Sequence, residues 1–438
     1  VRRARTWDVA VVGLGPTGAT LAALCGRAGL RTVVFERSTE PYPQPRACHL
    51  DAEIARVLQG IGLEPELHEL LTVSAGMEYV DASGRRLFSF EGFEREPLLG
   101  WHEDYVFVQP ELDAALRRAV EGCASVEVRL GVLAPALDEL LDLARFVVAC
   151  DGASSTVRDT LGIRLLEAAS GGGFDERWLV VDVEVHDPER PRLPQIIQQV
   201  CDPARLATFV PSHGGHRRWE FRLGDDEPTP DPWSLLAPWG VTPAVATLVR
   251  AVPYRFHALV AERWRDGSVF LAGDAAHQMP PFMGQGMCSG IRDAANLAWK
   301  LAAAVEGTGG DALLDSYERE RRPHVEAVTA LSVEAGTLLA RLAADPAALP
   351  APDRPDPQRW SRLPGLDLGG AFPIGHLLPQ PDRLDDRLPA GWVWVAAAEG
   401  LAPEDGRPVA VEPRATYGRD ALLVRPDRYV AAALPERP

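Results

Sequence analysis

The sequence predicts an α/β chain in which a Rossmann-like dinucleotide-binding domain carries an inserted antiparallel sheet and is followed by a small C-terminal α/β unit. Three observations predict it. Residues 8–12 form a short apolar strand that GLGPTG at 13–18 turns into a helix ending near Gly29, and residues 31–36 form the next strand, a β-α-β opening. Far downstream, the apolar strand at 268–272 runs into GDAAH at 273–277, two prolines, three closely spaced glycines and a helix, a second half-site that can complete the first. Between them, runs at 178–185, 207–210 and 217–222 alternate apolar and polar residues with the period of a sheet.

The remaining elements follow in order. Residues 51–58 read as a helix stopped by the glycines at 60 and 62, and 71–90 as a hairpin turning at Ala82-Ser-Gly-Arg85. At 109–120, Leu112, Ala115, Leu116 and Ala119 share one helical face. A strand at 145–150 delivers Asp151-Gly152 into a helix at 155–161, which either Ser154 or Ser155 would cap. The stretch 131–144 is short for the two strands and turn expected there. Residues 313–342 are mostly helical, with Pro323 interrupting or restarting the helix because proline has no N–H to donate. Residues 345–364, rich in Pro, Asp and Arg, read as a linker, and short strands at 392–396, 409–411 and 421–424 build the last unit. The expected division is a discontinuous dinucleotide domain (1–75, 100–175 and 260–310), the inserted sheet (76–99 and 176–259), a helical segment (311–345), a linker (346–370) and a C-terminal domain (371–438).

At 438 residues and 46% hydrophobic content the chain can bury a sizeable core. Its net charge of −17 opposes nucleic-acid binding through a broad phosphate footprint, although a local basic patch can still hold a small anion. No apolar run reaches about eighteen residues and no apolar segment precedes the first strand, so neither a membrane span nor a signal peptide is expected. A cytoplasmic monomer or homodimer is the expectation. The six cysteines form no CxxC pair and no histidine pair has ligand spacing, which speaks against a disulfide framework and a metal site.

In the first motif, Gly13 allows the tight turn, Gly15 admits a pyrophosphate against the backbone and Gly18 lets helix and strand close up. Glu36 can accept from ribose hydroxyls, and its charge disfavours a 2′-phosphate, which points to FAD or NAD rather than NADP as the tight cofactor. The alternative keeps the turn as packing and Glu36 as surface charge. In the second motif Asp274 suits a sugar or ribityl hydroxyl and Pro280-Pro281 a rigid wall. Gly284, Gly286 and Gly290 permit backbone approach to a flat ring whose carbonyl the helix N–H groups can meet. A plain glycine-rich helix start is the alternative there.

In combination, GLGPTG with Glu36, Asp151-Gly152 after a strand, and GDAAH followed by PPFMGQG resemble the group A flavoprotein aromatic hydroxylases, the para-hydroxybenzoate hydroxylase fold. More narrowly, PRACHLD at 45–51 and the run 279–300 resemble the 3-(3-hydroxyphenyl)propionate hydroxylases. The resemblance covers Asp8 to about Arg341. It implies FAD, with Gly13, Gly15, Gly18, Glu36 and Arg37 at its adenosine diphosphate half and Arg46 and Gln109 near the pyrophosphate and ribityl chain. Gly273 and Asp274 would hold the ribityl or linking phosphates, and Asp151-Gly152 would serve both FAD and the passing nicotinamide. Pro281, Gly284, Gln285, Gly286 and Met287 would border the isoalloxazine, with Asn296 supporting that wall. The resemblance further implies NADH or NADPH as transient reductant, molecular oxygen as cosubstrate, and a C4a-hydroperoxyflavin that hydroxylates a small phenolic aromatic, a 3-hydroxyphenyl acid among the candidates. It also implies a thioredoxin-like C-terminal domain, without a working dithiol because no CxxC is present.

His49 and Asp51 beside Arg46 are the candidates for influencing phenol or flavin protonation, with Pro281 at the reacting edge; a purely structural His49–Asp51 pair is the alternative. His277 reads as a packing or hydrogen-bonding residue. For the substrate, Gln198, Arg217 and Trp219 are the named contacts, with Gln195, Gln199, Arg218 and Glu220 also in range. Alternation alone leaves open which face meets the ligand. Two competing functions are a tailoring monooxygenase acting on a polycyclic aromatic natural product and a flavin-binding protein without hydroxylase activity.

Overall fold

The computed structural model describes residues 5–90, 98–168, 174–187, 192–349, 364–369, 371 and 373–434. A six-stranded sheet organises the first layer, in the order Arg265–Asp266, Val269–Leu271, Ala144–Ala149, Trp7–Val12, Thr32–Glu36, Val126–Leu130. Every neighbouring pair except the first runs parallel. Its central strands are almost wholly apolar and buried, as a sheet covered on both faces requires. The register aligns Val12 with both Phe35 and Ala149, and Ala149 with Leu271. Strands that end level deliver Gly13, Glu36, Asp151 and Gly273 to one edge, although they are far apart in sequence.

The second layer is a seven-stranded sheet ordered Ala246–His257, Asp175–Val185, His216–Leu223, Ala207–Pro211, Ile197–Cys201, Met77–Asp81, Arg86–Phe90. It is antiparallel except where Met77–Asp81 joins Ile197–Cys201. The expected hairpin is present over its second half, where Asp81 Oδ1 accepts the N–H of Ser83 at 2.9 Å and of Arg85 at 3.1 Å. Its first part, Thr72–Val73, instead joins His49–Asp51 and Asp104–Val106 in a small separate sheet.

Two helical readings need correction. Residues 131–144 hold a helix, Leu137–Leu143, where strands and a turn were expected, which removes the apparent shortage of residues. Asp311–Ala344 continues as one helix through Pro323. The hydrogen bond that proline forfeits is outweighed by burial of Tyr317, His324, Val325 and Val328 as this helix packs on Gln285–Glu306. By length and composition Asp311–Ala344 also meets the requirement for crossing a bilayer, and 33% of its apolar window is buried within the protein.

The expected linker falls largely on residues outside the described ones. Beyond it, a four-stranded mixed sheet runs Val409–Val411, Val393–Ala396, Ala421–Val424, Val430–Ala433 over a core of Leu378, Leu384, Val395 and Leu422. The expectation was an α/β unit; among its described residues there are 3-10 turns and no α-helix. This unit packs on the first layer through Arg56, which donates to Asp385 at 2.6 and 2.7 Å, and through Tyr429, whose hydroxyl donates to Glu53 at 2.6 Å.

Candidate active site

A cavity of about 2280 Å³ runs from the level strand ends of the first sheet to one face of the second. That exceeds the space a drug-sized ligand takes and leaves room for a dinucleotide with a second molecule beside it. At the strand ends the glycines divide their work by space. Gly13 has φ +98°, and a Cβ there would collide with the Cys150 carbonyl. A Cβ on Gly18 would collide with the Gly13 carbonyl. Gly15, by contrast, has nothing within 4 Å of the Cβ position and faces the cavity. The fold therefore needs the outer two glycines, while the middle one keeps space open for a ligand.

Glu36 and Arg37 line the same end. Glu36 also accepts the Leu14 N–H at 2.8 Å and the Ser38 N–H at 2.9 Å, so its carboxylate is oriented by the turn it faces. Gln109 accepts the N–H groups of Arg46 and Ala47 at 2.9 and 2.6 Å and so holds the 45–48 loop over the cavity. Beneath it burial pushes the Asp113 carboxyl up to about 6, against the hydrogen bond it takes from Gln109. Asp151 accepts the N–H groups of Thr156 and Val157 at 2.8 and 3.3 Å, and Ser155 provides the other cap of that helix. Gly152, at φ +85°, lines the cavity beside it.

Gly273 adopts φ +62° against Thr17 and exposes the Asp274 carboxylate to the cavity. Protein encloses Asp274 on its other sides, and that burial raises its affinity for a proton. The turn is fixed from behind by Asp293, which accepts the Gly273 N–H at 3.1 Å, pairs with Arg321 at 2.9 Å and lies 2.6 Å from His277 Nε2. Next come Pro281, Gly284, Gln285, Gly286 and Met287, all in the cavity wall. Ser332 donates to the Pro280 carbonyl at 2.7 Å, and Phe282 packs edge-on to Trp178 at 5.3 Å, so this wall is pinned to both the long helix and the second sheet. Asn296 is not among the lining residues: it donates to Glu320 at 2.8 Å and accepts from Lys300 at 2.7 Å, farther along the helix.

His49 and Asp51 reach the site but do not pair with each other. His49 Nε2 lies 2.8 Å from Asp104, and its ring abuts Gly284. Burial alone would favour the neutral ring, but Asp104 outweighs it and holds the imidazole well above its ordinary range. Asp51 caps the following helix through the Glu53 and Ile54 N–H groups and takes hydrogen bonds from Arg292 at 2.6 Å and Gln285 at 3.1 Å. Against its burial, Arg292 keeps the Asp51 carboxyl below its usual range.

On the second sheet the register corrects the expected substrate contacts by one residue. Gln199, Thr208, Val210, Arg218 and Glu220 line the cavity, whereas Gln198, Arg217 and Trp219 do not. Gln198 donates to Glu78 at 2.6 Å, Arg217 donates to the carbonyls of Gly214 and His216, and Trp219 is buried with Phe209 and Trp239 on the opposite face. The cavity face mixes Val210 with Gln199, Thr208, Arg218 and Glu220, and the other face carries Gln198 and Arg217 beside Phe209 and Trp219, so side-chain polarity does not tell the two faces apart. Asp182, fully buried, receives Arg218 at 2.8 Å and Arg250 at 2.9 Å; despite burial these cations hold its carboxyl down at about 2. Arg218 also donates to the carbonyls of Pro45 and Arg46 at 2.7 and 2.5 Å, tying sheet to loop. No local sequence pattern marks Asp104, Asp182, Arg250 or Ser332, because their partners lie far away in the chain.

Comparison with known proteins agrees with this geometry. The FAD binding domain family matches residues 6–139 and 142–332, and the chain belongs to it. FAD is its cofactor, and it is a flavin-dependent oxidoreductase. A probable NADH-specific resorcinol 4-hydroxylase of Rhodococcus jostii is 37% identical over 90% of this chain and 79% of its own length. A 3-(3-hydroxyphenyl)propionate/3-hydroxycinnamic acid hydroxylase of a Mycobacterium strain is 37% identical over 76% of this chain, which spans 60% of that relative. The crystal structure of aklavinone-11 hydroxylase with FAD and aklavinone superposes with a TM-score of 0.77 at 25% identity, over 100% of this chain and 97% of that one.

Proposed function

We propose that this chain is an NADH-using, FAD-dependent monooxygenase that hydroxylates a small phenol. The observation that carries the reading is the single cavity that joins a dinucleotide edge, with Gly15 open and Asp274 exposed to it, to a polar sheet face across the 280–287 wall. The names of the hydroxylase relatives support the reaction and the reductant. Bound FAD supplies the redox chemistry, taking reducing equivalents from the nicotinamide and activating oxygen.

The chain's own residues bind, orient and exclude water. Gly13, Gly15, Glu36 and Arg37 receive the adenosine diphosphate half, Arg46, Gln109 and Asp274 the linking phosphates and ribityl chain, and Pro281 to Met287 the ring, while Gly18 and Gly273, off the cavity lining, close the two turns that present them. Asp151 and Gly152 border the approach of the nicotinamide. A protonated His49 held by Asp104 against Gly284 stabilises negative charge at the helix start, which makes it the group in reach of flavin or phenol protonation; Asp51 acts through Arg292 and Gln285 as a positioning residue. The division into a cofactor domain, an inserted sheet and an appended C-terminal domain belongs to the same reading. The strand order and directions of the terminal sheet support a thioredoxin-like origin for it.

The test is a panel of phenols with NADH, scoring NADH consumption, hydroxylated product and peroxide. One product per NADH with little peroxide is expected for at least one simple phenol. NADH oxidation that yields only peroxide with every phenol defeats the reading. A polycyclic substrate is the second reading, favoured by the whole-chain likeness to aklavinone-11 hydroxylase.

A further inference from the structure

The sheet wall of the cavity carries an imbalance that neither the cofactor nor the fold uses. Among the described residues, its cations all face carboxylates. Arg218 spends its donors on Asp182 and on the Pro45 and Arg46 carbonyls. Arg250 spends its own on Asp182 and the Tyr254 hydroxyl, and Arg255 pairs with Asp175 and Asp225. His257 lies 3.6 Å from Asp175. Glu220 is different. It is only 7% exposed, lines the cavity between Thr208 and Val180, and among the described residues no group donates a hydrogen bond to its carboxylate.

The Glu220 oxygens are not among the buried atoms shut off from every partner, so they open to the cavity, and with no protein donor they are free to accept from a group that enters it. The surroundings of Glu220 raise its affinity for a proton, burial outweighing the pull of Arg218 and Arg250, and neither arginine donates a hydrogen bond to it. The neighbouring polar groups do not satisfy it either, because the Thr208 hydroxyl donates to Gln199 at 2.7 Å. Glu220 is thus an acceptor available to a donor on a molecule in the cavity. An aromatic hydroxyl supplies such a donor; a carboxylate brings a second negative charge to a wall whose cations, among the described residues, already face carboxylates.

Resting on the hydroxylase reading above, we infer that Glu220 accepts a hydrogen bond from a ring hydroxyl of the substrate and selects uncharged phenols carrying a second hydroxyl over phenols carrying a carboxylate. The two kinds of relative divide along that line, one named for resorcinol and the other for an arylpropionate.

The test titrates the FAD-loaded protein with resorcinol and with 3-(3-hydroxyphenyl)propionate, following the flavin absorbance, in the wild type and in Glu220→Gln. The wild type is expected to bind resorcinol at least about tenfold more tightly than the acid. Glu220→Gln, which keeps the shape and removes the charge, is expected to weaken resorcinol by about tenfold and to shrink that preference. Equal or tighter binding of the acid by the wild type overturns the inference, as do both constants in Glu220→Gln lying within about twofold of wild type. Wild-type turnover of both ligands separates the two claims: coupled hydroxylation of the acid in preference to resorcinol rejects the role of Glu220 and leaves the hydroxylase reading standing, whereas no hydroxylation of any phenol rejects both.

Discussion

Gly15 and Gly18 stand three residues apart and respond oppositely to a side chain. A Cβ at Gly15 has no protein atom within 4 Å and the backbone there has φ −73°, so Gly15→Val is expected to leave the melting point of the apoprotein nearly unchanged while raising the FAD dissociation constant at least about tenfold. Gly18→Val strikes the Gly13 carbonyl and is expected to cost about 3 kcal/mol of stability with or without flavin, read by urea unfolding. Asp182 makes a pH prediction. Its folded carboxyl titrates at about 2 against about 3.9 unfolded, so the stability it contributes is complete above about pH 4 and is lost as pH falls through about 2. Asp182→Asn strands Arg218 and Arg250 and is expected to lose about 3 to 5 kcal/mol at neutral pH and to flatten the acid limb of the stability profile. The glycine pattern was legible in sequence because covalent geometry limits which residues can occupy a tight turn. Asp182 was not, since its value comes from partners on two other strands.

At the scale of elements, the second sheet shows what alternation carries and what it omits. The period of two at 217–222 was readable, but its phase was not, because the cavity face and the core face each carry polar and apolar residues. Once the register is known the distinction is sharp. Gln199→Ala is expected to change phenol affinity several-fold in a flavin-absorbance titration, while Gln198→Ala changes it by less than about twofold. The long helix offers a second check. Gly336 faces the Phe282 ring, so Gly336→Val should push the 280–284 wall toward the cavity, costing about 1 to 3 kcal/mol by thermal unfolding and weakening flavin binding as well. Sequence periodicity found that helix but broke it at Pro323, since the packing that carries it across a missing hydrogen bond is tertiary.

Across the whole molecule, the site is assembled by register rather than by proximity in the chain. Three segments separated by more than a hundred residues each become neighbours because parallel strands end level, and that convergence could be anticipated from motif identity alone. The terminal unit could not be placed so easily. Arg56, buried on the first layer, reaches Asp385 and the Leu378 carbonyl, so Arg56→Ala should cost about 3 kcal/mol and lower the unfolding midpoint of both parts together. The claim on which everything else rests is that the cavity unites flavin, oxygen and phenol. It is tested most directly by supplying the FAD-loaded protein with NADH, resorcinol and isotopically labelled dioxygen and weighing the product. The account predicts a trihydroxybenzene carrying one labelled oxygen atom per NADH consumed; unlabelled resorcinol recovered intact, with all of the consumed oxygen found as peroxide, would contradict it.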